Sequence, residues 1–212
     1  MKRAIAYRLA APFYDLAMAG LLRTARRESI ASLDLKPGEK LLIPGIGTGL
    51  DLPYLPRNVD VLGGDLVPAM LAKAHARRVR LGLANVRLVT MDAQALPVPD
   101  ASFDAVLLHL IVAIAPDGHA VLAEACRVLK PGGRIAVLDK FMPDDQARIP
   151  FWRQAVQIFL IPFTDFNRRF GDLAAGLPLR MISDQGVVLG RTIRSILLER
   201  ESAGEVSSSA GE

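Results

Sequence analysis

Short apolar runs alternate with amphipathic stretches along residues 40–140, a pattern typical of a parallel sheet covered by helices. The pattern predicts strands at Leu41–Pro44, Val59–Gly64, Val86–Met91, Phe103–His109 and Arg134–Lys140. It predicts helices at Leu50–Leu55, Pro68–Gly82 and Gly118–Leu129, the second of which begins with a proline that suits a first helical turn. Because most strands lead into a helix, the predicted fold class is α/β.

Two further segments near the C-terminus have the character of strands. They are Leu179–Ser183 and Thr192–Glu199, joined by turns that contain glycine. They predict an antiparallel pair that closes the sheet.

Amphipathic and polar segments flank this predicted sheet. Residues 1–38 predict a helical cap with an apolar stripe and with arginines elsewhere on the helix: Met18, Leu21, Leu22, Ala25, Ile30 and Leu33 against Arg23, Arg26 and Arg27. Residues 145–175 look helical and carry many large apolar side chains, from Phe151 and Trp152 to Phe166, which indicates a lid or substrate wall. The polar residues 201–212 predict a disordered tail, so we expect a single domain over residues 1–200.

The composition agrees with one compact domain inside the cell. The chain has 212 residues, of which 51% are hydrophobic. The single cysteine, Cys126, cannot form an internal disulfide and lies in an apolar helical stretch, which favours a reducing cytoplasm. No apolar run approaches the ~20 residues that cross a bilayer, and Arg8 interrupts any signal-peptide core. We therefore expect a cytoplasmic protein, at most peripheral on the inner face of the membrane.

The positive charge is concentrated at the N-terminus. The formal net charge is +4, and residues 1–30 account for all of it with six basic and two acidic side chains. Because the rest of the chain is formally neutral, an extended nucleic-acid surface is disfavoured and no nucleic acid is expected as a partner. Contact between the basic N-terminal helix and an anionic membrane surface stays open.

A glycine-rich segment follows the first predicted strand. It reads Gly45-Ile46-Gly47-Thr48-Gly49, and glycines there permit positive φ and let backbone N–H groups approach a ligand. The spacing differs from the Gly-x-Gly-x-x-Gly of dinucleotide sites, and no Lys-Ser/Thr pair completes a Walker loop. Taken alone, the segment also fits a tight turn between a strand and a helix.

Carboxylates at the next two strand ends support a nucleoside site. Asp65 ends the second predicted strand, where a ribose diol would donate two hydrogen bonds to it. Asp92 follows the third strand, where its carboxylate and the Ala93 N–H suit an adenine edge. Either carboxylate alone also fits a solvated side chain or a helix N-cap.

In these residues the sequence resembles class I S-adenosylmethionine-dependent methyltransferases, from Leu41 to Phe141. Four segments carry the resemblance in order: residues 45–49, 64–71, 91–97 continuing into 100–106, and 127–133. It implies a Rossmann-like, mostly parallel seven-stranded sheet and S-adenosylmethionine as the cofactor. The implied cofactor-binding residues are Tyr14, Gly45, Ile46, Gly47, Thr48, Gly49, Asp65, Leu66, Met70, Asp92, Ala93, Leu108 and His109.

Within that family, the chain is most similar to bacterial phosphatidylethanolamine N-methyltransferases and to quinone C-methyltransferases. Residues 11–15, 48–53 and 112–117 carry this similarity, which implies a small or lipid-like acceptor and places Tyr14 over the methionine end of the cofactor. The chain departs from the family at Ile43, where an acidic residue is usual. The amino group of the cofactor then needs another partner, or binding is weaker.

Little dedicated chemistry is needed for methyl transfer from a sulfonium, so the main tasks are alignment of the acceptor and exclusion of water. His109, at the tip of the fourth strand, is the candidate base, with a structural histidine as the alternative. Tyr14 is a second catalytic candidate that would orient the acceptor, and simple packing is its alternative. Asp139 and Lys140 would face the acceptor or form a partly exposed ion pair. No Cys/His cluster has metal-ligand spacing, so no metal is expected.

Other functions stay open at this point. They are a non-catalytic module that binds S-adenosylmethionine or S-adenosylhomocysteine, an NAD-dependent oxidoreductase, and a nucleic-acid methyltransferase. The glycine spacing argues against the oxidoreductase. The neutral charge beyond residue 30 and the lack of an Asn-Pro-Pro-Tyr-like motif argue against base methylation.

Overall fold

The computed structural model describes residues 20, 22–141, 168–188 and 193–202. Its strands are β1 (Lys40–Pro44), β2 (Asp60–Asp65), β3 (Val86–Thr90), β4 (Phe103–His109), β5 (Leu129–Lys140), β6 (Leu179–Val188) and β7 (Ile193–Arg200). Its α-helices are α1 (Arg23–Ser32), α2 (Pro68–Leu81), α3 (Gly118–Val128) and α4 (Phe170–Ala174), and a 3₁₀ turn spans Leu52–Tyr54.

The strands form one seven-stranded sheet in the order β3-β2-β1-β4-β5-β7-β6. The first five strands in this order are parallel, and β7 pairs antiparallel with both β5 and β6. The predicted fold class is therefore confirmed. The chain order reverses between β1 and β4, and the crevice at the carboxyl ends of such neighbouring strands is where open parallel sheets bind ligands.

Helices cover both faces because the central strands are apolar on both sides. On one face, Val106 and Leu108 of β4 pack with α3 and α4, and Phe141 meets Phe170 edge to face with ring centroids 5.2 Å apart. On the other face, Ala105 and Leu107 pack with α1, α2 and the 3₁₀ turn. Because successive side chains of β4 point to opposite faces, this strand contributes to a hydrophobic core on each side of the sheet.

Several element bounds differ from the predictions. The predicted helix Leu50–Leu55 is only the 3₁₀ turn Leu52–Tyr54, because Pro53 and Pro56 leave no room for a longer helical ladder. Strand β5 begins at Leu129, five residues before the predicted Arg134, and its pairing with β4 shifts register between Phe103 and Ala105. The Lys130-Pro131-Gly132-Gly133 segment is therefore part of an irregular strand.

The sequence places three arginines away from the apolar stripe of α1, and one of them is buried. Arg23 and Arg27 are exposed, but Arg26 is only 5% exposed. The reason is an ion pair, since its Nη1 lies 2.7 Å from Oδ1 of Asp51. Only two of the three arginines therefore remain available for a basic outer surface.

Some predictions lie wholly or partly outside the described residues. Tyr14 and the aromatic residues 151–166 are among these, as are residues 203–212 of the predicted tail. Of the predicted lid, residues 168–175 are described and include α4. The division into cap, lid and tail thus stays a prediction. Among the described helices, none has the length and apolar character to cross a membrane.

Candidate functional site

The carboxyl ends of four parallel strands bring the predicted site residues to one edge of the sheet. The glycine segment 45–49 follows β1, Asp65 ends β2, Asp92 lies two residues after β3, and His109 ends β4. Because β1 and β4 are the neighbours at which the chain order reverses, this edge is the expected ligand crevice.

The glycine segment has a backbone that favours glycine. Gly45, Gly47 and Gly49 have φ of +78°, +57° and +77°, in the left-handed region that other residues adopt at a cost. A Cβ at Gly47 would have no heavy atom within 4 Å. The backbone at Gly47 therefore borders open space, as a surface for a ligand requires.

Asp65 is bonded to the glycine segment. Its Oδ2 accepts a hydrogen bond from Gly47 N at 2.9 Å, and its Oδ1 accepts one from Val67 N at 2.8 Å. Each carboxylate oxygen can accept a further hydrogen bond, so Asp65 holds the loop and still has lone pairs for other donors. The neighbouring Leu66 is 62% exposed and offers an apolar surface beside the carboxylate.

Asp92 organises the turn after β3. Its Oδ1 accepts a hydrogen bond from Gln94 N at 2.9 Å, which is the local bonding that favours aspartate in turns. Asp117, which caps the N-terminus of α3, donates a hydrogen bond from its N–H to the Gln94 Oε1 at 2.9 Å. The turn after β3 is thus fixed to the start of α3.

His109 is a buried member of a hydrogen-bonded network. Its side chain is 1% exposed, its Nδ1 lies 2.7 Å from Oδ1 of Asp51, and its Nε2 lies 3.0 Å from Oγ of Ser29. Both ring nitrogens are therefore engaged by protein groups. This geometry supports a positioning role for His109, and its role as a base stays a prediction.

The same Asp51 oxygen also accepts the bond from Arg26, so one carboxylate joins α1 to the loop after β1 and to the tip of β4. Burial alone would raise the pKa of Asp51, but the charges and hydrogen bonds of His109 and Arg26 hold that pKa well below its usual range. This network was not predicted from the sequence. The signal available was the pair Arg26 and Ser29, polar residues three apart that face inward on a helix with an apolar stripe.

The residue after His109 has a strained backbone. Leu110 has φ +58°, a conformation that costs a non-glycine residue about 1–2 kcal/mol. The surrounding structure holds it there, since Leu110 N donates to the Leu138 carbonyl at 2.8 Å. Such strain is typical of binding and catalytic segments.

Asp139 and Lys140 at the end of β5 are both buried, so they are not the partly exposed pair that the sequence suggested. Asp139 accepts hydrogen bonds from Ala113 N at 2.9 Å and from Lys140 N at 2.8 Å. Burial raises the pKa of Asp139 and lowers the pKa of Lys140. Through Ala113, Asp139 fixes the segment after β4 rather than facing solvent.

The remaining predicted residues divide into two groups. Met70 and Gly45 are partly exposed near the crevice, whereas Ile46, Thr48, Ala93 and Leu108 are buried, with Leu108 fully inside the core. Ile43, the departure from the family pattern, is also in the core at 1% exposure. Tyr14 lies outside the described residues, so the assignment of cofactor contacts stays a prediction.

The described residues contain no group of three or more side chains suited to a metal ion. Cys126 is buried, and burial raises the pKa of its thiol, which disfavours the reactive thiolate.

Comparison with known proteins adds a family to this geometry. Residues 42–137 match the model of a methyltransferase domain. A phosphatidylethanolamine N-methyltransferase of Cereibacter sphaeroides is 34% identical over 132 residues, which are 62% of this chain and 64% of that protein. A demethylmenaquinone methyltransferase of Thermus thermophilus is 38% identical over 137 residues, 61% of each chain. The chain spans less than two thirds of either relative.

A solved structure shares the fold over a greater length. The YcgJ protein of Bacillus subtilis superposes with a TM-score of 0.71 at 18% identity, covering 85% of this chain and 99% of that one. At this identity the likeness concerns the fold alone.

Proposed function

We propose that this chain, whose residues 42–137 match a methyltransferase domain, is a class I S-adenosylmethionine-dependent methyltransferase that transfers a methyl group to a small or lipid-like acceptor. The observation that carries the proposal is that the backbone at Gly47 borders open space. Asp65, at the end of the neighbouring strand, holds that backbone in place by accepting a hydrogen bond from Gly47 N. Both features belong to the segment that matches the family.

The residues of the crevice fit the nucleoside end of S-adenosylmethionine. Asp65 would accept from the ribose hydroxyls, and the backbone at residues 45–49 would face the methionine part. In the Asp92 turn, one carboxylate oxygen is used by Gln94, and within the described residues Oδ2 makes no hydrogen bond. That oxygen suits the adenine amino group.

The cofactor supplies an activated methyl group with its own leaving group. The tasks of the protein are then to align the acceptor and to exclude water. In this proposal the network of Arg26, Asp51, Ser29 and His109 fixes α1 against the loop that follows β1, next to the glycine segment. His109 acts through this network as a positioning residue.

We propose that the acceptor is a phosphatidylethanolamine amine or a quinone precursor. The support is the function named for the two relatives and the exposed Arg23 and Arg27 of α1, which suit an anionic membrane surface. An acceptor screen with labelled S-adenosylmethionine should give incorporation into one of these classes. Incorporation only into other small amines or phenols would leave methyl transfer standing and overturn the acceptor proposed here.

A second candidate function is a non-catalytic module that binds the cofactor. One observation favours it, namely that both ring nitrogens of His109 are already engaged. Calorimetry with S-adenosylhomocysteine separates the two functions when it accompanies the acceptor screen. Tight binding without transfer to any acceptor would favour the module, whereas transfer excludes it.

A further inference from the structure

A second concave site lies outside the cofactor crevice. A pocket of about 220 Å³ opens between α1, the 3₁₀ turn and the second half of α2. Its described lining consists of Arg26, Leu50, Pro53, Tyr54, Arg77 and Arg80. None of these residues belongs to the predicted cofactor site.

The lining of this pocket is strongly basic. It includes three arginines, and no carboxylate is among its described lining residues. Arg80 is exposed, and the Nη1 of Arg77 donates to the Thr48 carbonyl at 2.8 Å. Arginines that converge on one concave site without a lining acid favour an anion there.

Arg26 provides an independent observation. The residue is only 5% exposed. Its Nη1 is paired with Asp51, but within the described residues its Nε has no hydrogen-bond partner. A buried unsatisfied N–H is costly unless a ligand or water accepts from it. Asp51 is the counter-charge of this guanidinium, and an anion in the pocket that Arg26 lines would supply an acceptor for the remaining Nε–H.

We propose that this arginine pocket binds a phosphate group, as a monoester or a diester. The planar guanidinium favours phosphate through paired N–H donors. The volume also fits a small polar group, since it is below the ~300–1,000 Å³ of pockets that enclose drug-sized ligands. The pocket shares Arg26 with the network around Asp51, but phosphate binding is measured without methyl transfer and stands or falls independently of it.

The proposal is tested by titrating inorganic phosphate into the ¹⁵N-labelled full-length chain, with sodium chloride at matched ionic strength as the reference. The Nε–Hε resonances of Arg26 and Arg80 should shift saturably. Arg80→Gln should weaken binding about tenfold, the effect of one lost charge-assisted hydrogen bond. Because Arg80 is exposed, the variant should keep the fold.

Arg180→Gln is the matched control. It removes the same charge from an exposed arginine on β6, at the opposite end of the sheet from β2 and β3, on which α2 packs. Phosphate affinity in this variant should equal that of the wild type. The proposal is overturned if phosphate shifts neither resonance saturably, or if the two variants weaken binding equally.

The source of the phosphate is distinguished with vesicles. Phosphatidylcholine vesicles with and without phosphatidylglycerol are mixed with the wild type and both variants. If phosphate shifts the arginine resonances saturably, the vesicle result gives the source. Weaker binding of Arg80→Gln than of Arg180→Gln to the vesicles with phosphatidylglycerol assigns the site to a lipid headgroup. Equal vesicle binding by the two variants assigns it to a soluble phosphate ester.

Discussion

At the scale of single residues, Gly47 is the sharpest test of the cofactor site. Replacement by alanine should weaken S-adenosylhomocysteine binding at least about tenfold, because the new methyl group enters the open space that borders the backbone. The left-handed backbone adds a stability cost of about 1 kcal/mol. Calorimetry and urea denaturation measure the two effects separately.

Gly82 supplies a matched control for this substitution. It has φ +61°, close to the +57° of Gly47, and its Cβ would also meet nothing within 4 Å, but it ends α2 away from the crevice. Gly82→Ala should therefore lose similar stability and bind S-adenosylhomocysteine normally. Equal affinity losses in both variants would contradict a cofactor surface at Gly47.

A second residue-scale prediction concerns His109. If it acts by positioning, His109→Asn, which can keep the bond to Asp51, should raise KM for S-adenosylmethionine and lower kcat less than tenfold. His109→Ala should lose more of both affinity and stability. A general base instead contributes about 10²–10⁴ in rate, so an equal, large loss of kcat in both variants, with an altered pH profile, would assign the base to His109.

The positions of the crevice residues could be predicted where the local sequence marks the end of a strand. Asp65 and Asp92 follow strands whose apolar runs are visible, so their common edge followed from the parallel sheet. The partners of His109 were not predictable, because Ser29 and Asp51 lie 80 and 58 residues away in the chain. The inward-facing Arg26 and Ser29 indicate a polar site on α1, but a single sequence does not identify partners that lie so far away in the chain.

At the scale of elements, the buried carboxylate Asp51 determines how firmly α1 is attached. Asp51→Asn should destabilise the protein by about 3–5 kcal/mol, because it leaves the Arg26 guanidinium buried without a counter-charge. Adding Arg26→Met should restore part of the loss, since the buried cation is then removed. Urea denaturation of both variants measures this.

Asp60→Asn is the control for Asp51→Asn. Asp60 pairs with Arg87 on the surface, with side chains 44% and 68% exposed, so its loss should leave the denaturation midpoint nearly unchanged. A small effect of Asp51→Asn, similar to this control, would show that the buried network does not hold α1.

The same carboxylate predicts how stability depends on pH. The pKa of Asp51 is lowered in the folded state, so its contribution is fully present above the unfolded value of about 3.9 and is lost as the pH falls below it. Between about pH 5 and pH 2, the wild type should lose stability more steeply than Asp51→Asn. Parallel pH profiles of the two proteins would contradict the lowered pKa.

Element boundaries show what periodicity can and cannot predict. Strand β4 and the start of α2 were predicted correctly because an apolar run and a proline at the first turn mark them. The extension of β5 back to Leu129 was missed, because Pro131 and two glycines look like a turn. Tertiary pairing with β4 overrides that local preference.

At the scale of the whole molecule, cofactor binding should be visible as stability. A ligand at 100 times its Kd adds about 2.7 kcal/mol, which for a domain of this size corresponds to a rise in Tm of roughly 5–10 °C. S-adenosylhomocysteine should produce this shift in a thermal scan. NAD at the same concentration should produce none, and the reverse result would indicate an oxidoreductase.

The position of β7 has a consequence for synthesis of the protein. This strand comes last in the described chain yet lies between β5 and β6 rather than at an edge. While the ribosome is still making residues 193–200, β5 keeps an apolar strand edge without its partner, and exposed strand edges are sites of aggregation. The nascent chain is therefore exposed to aggregation until β7 has been made and has paired with β5.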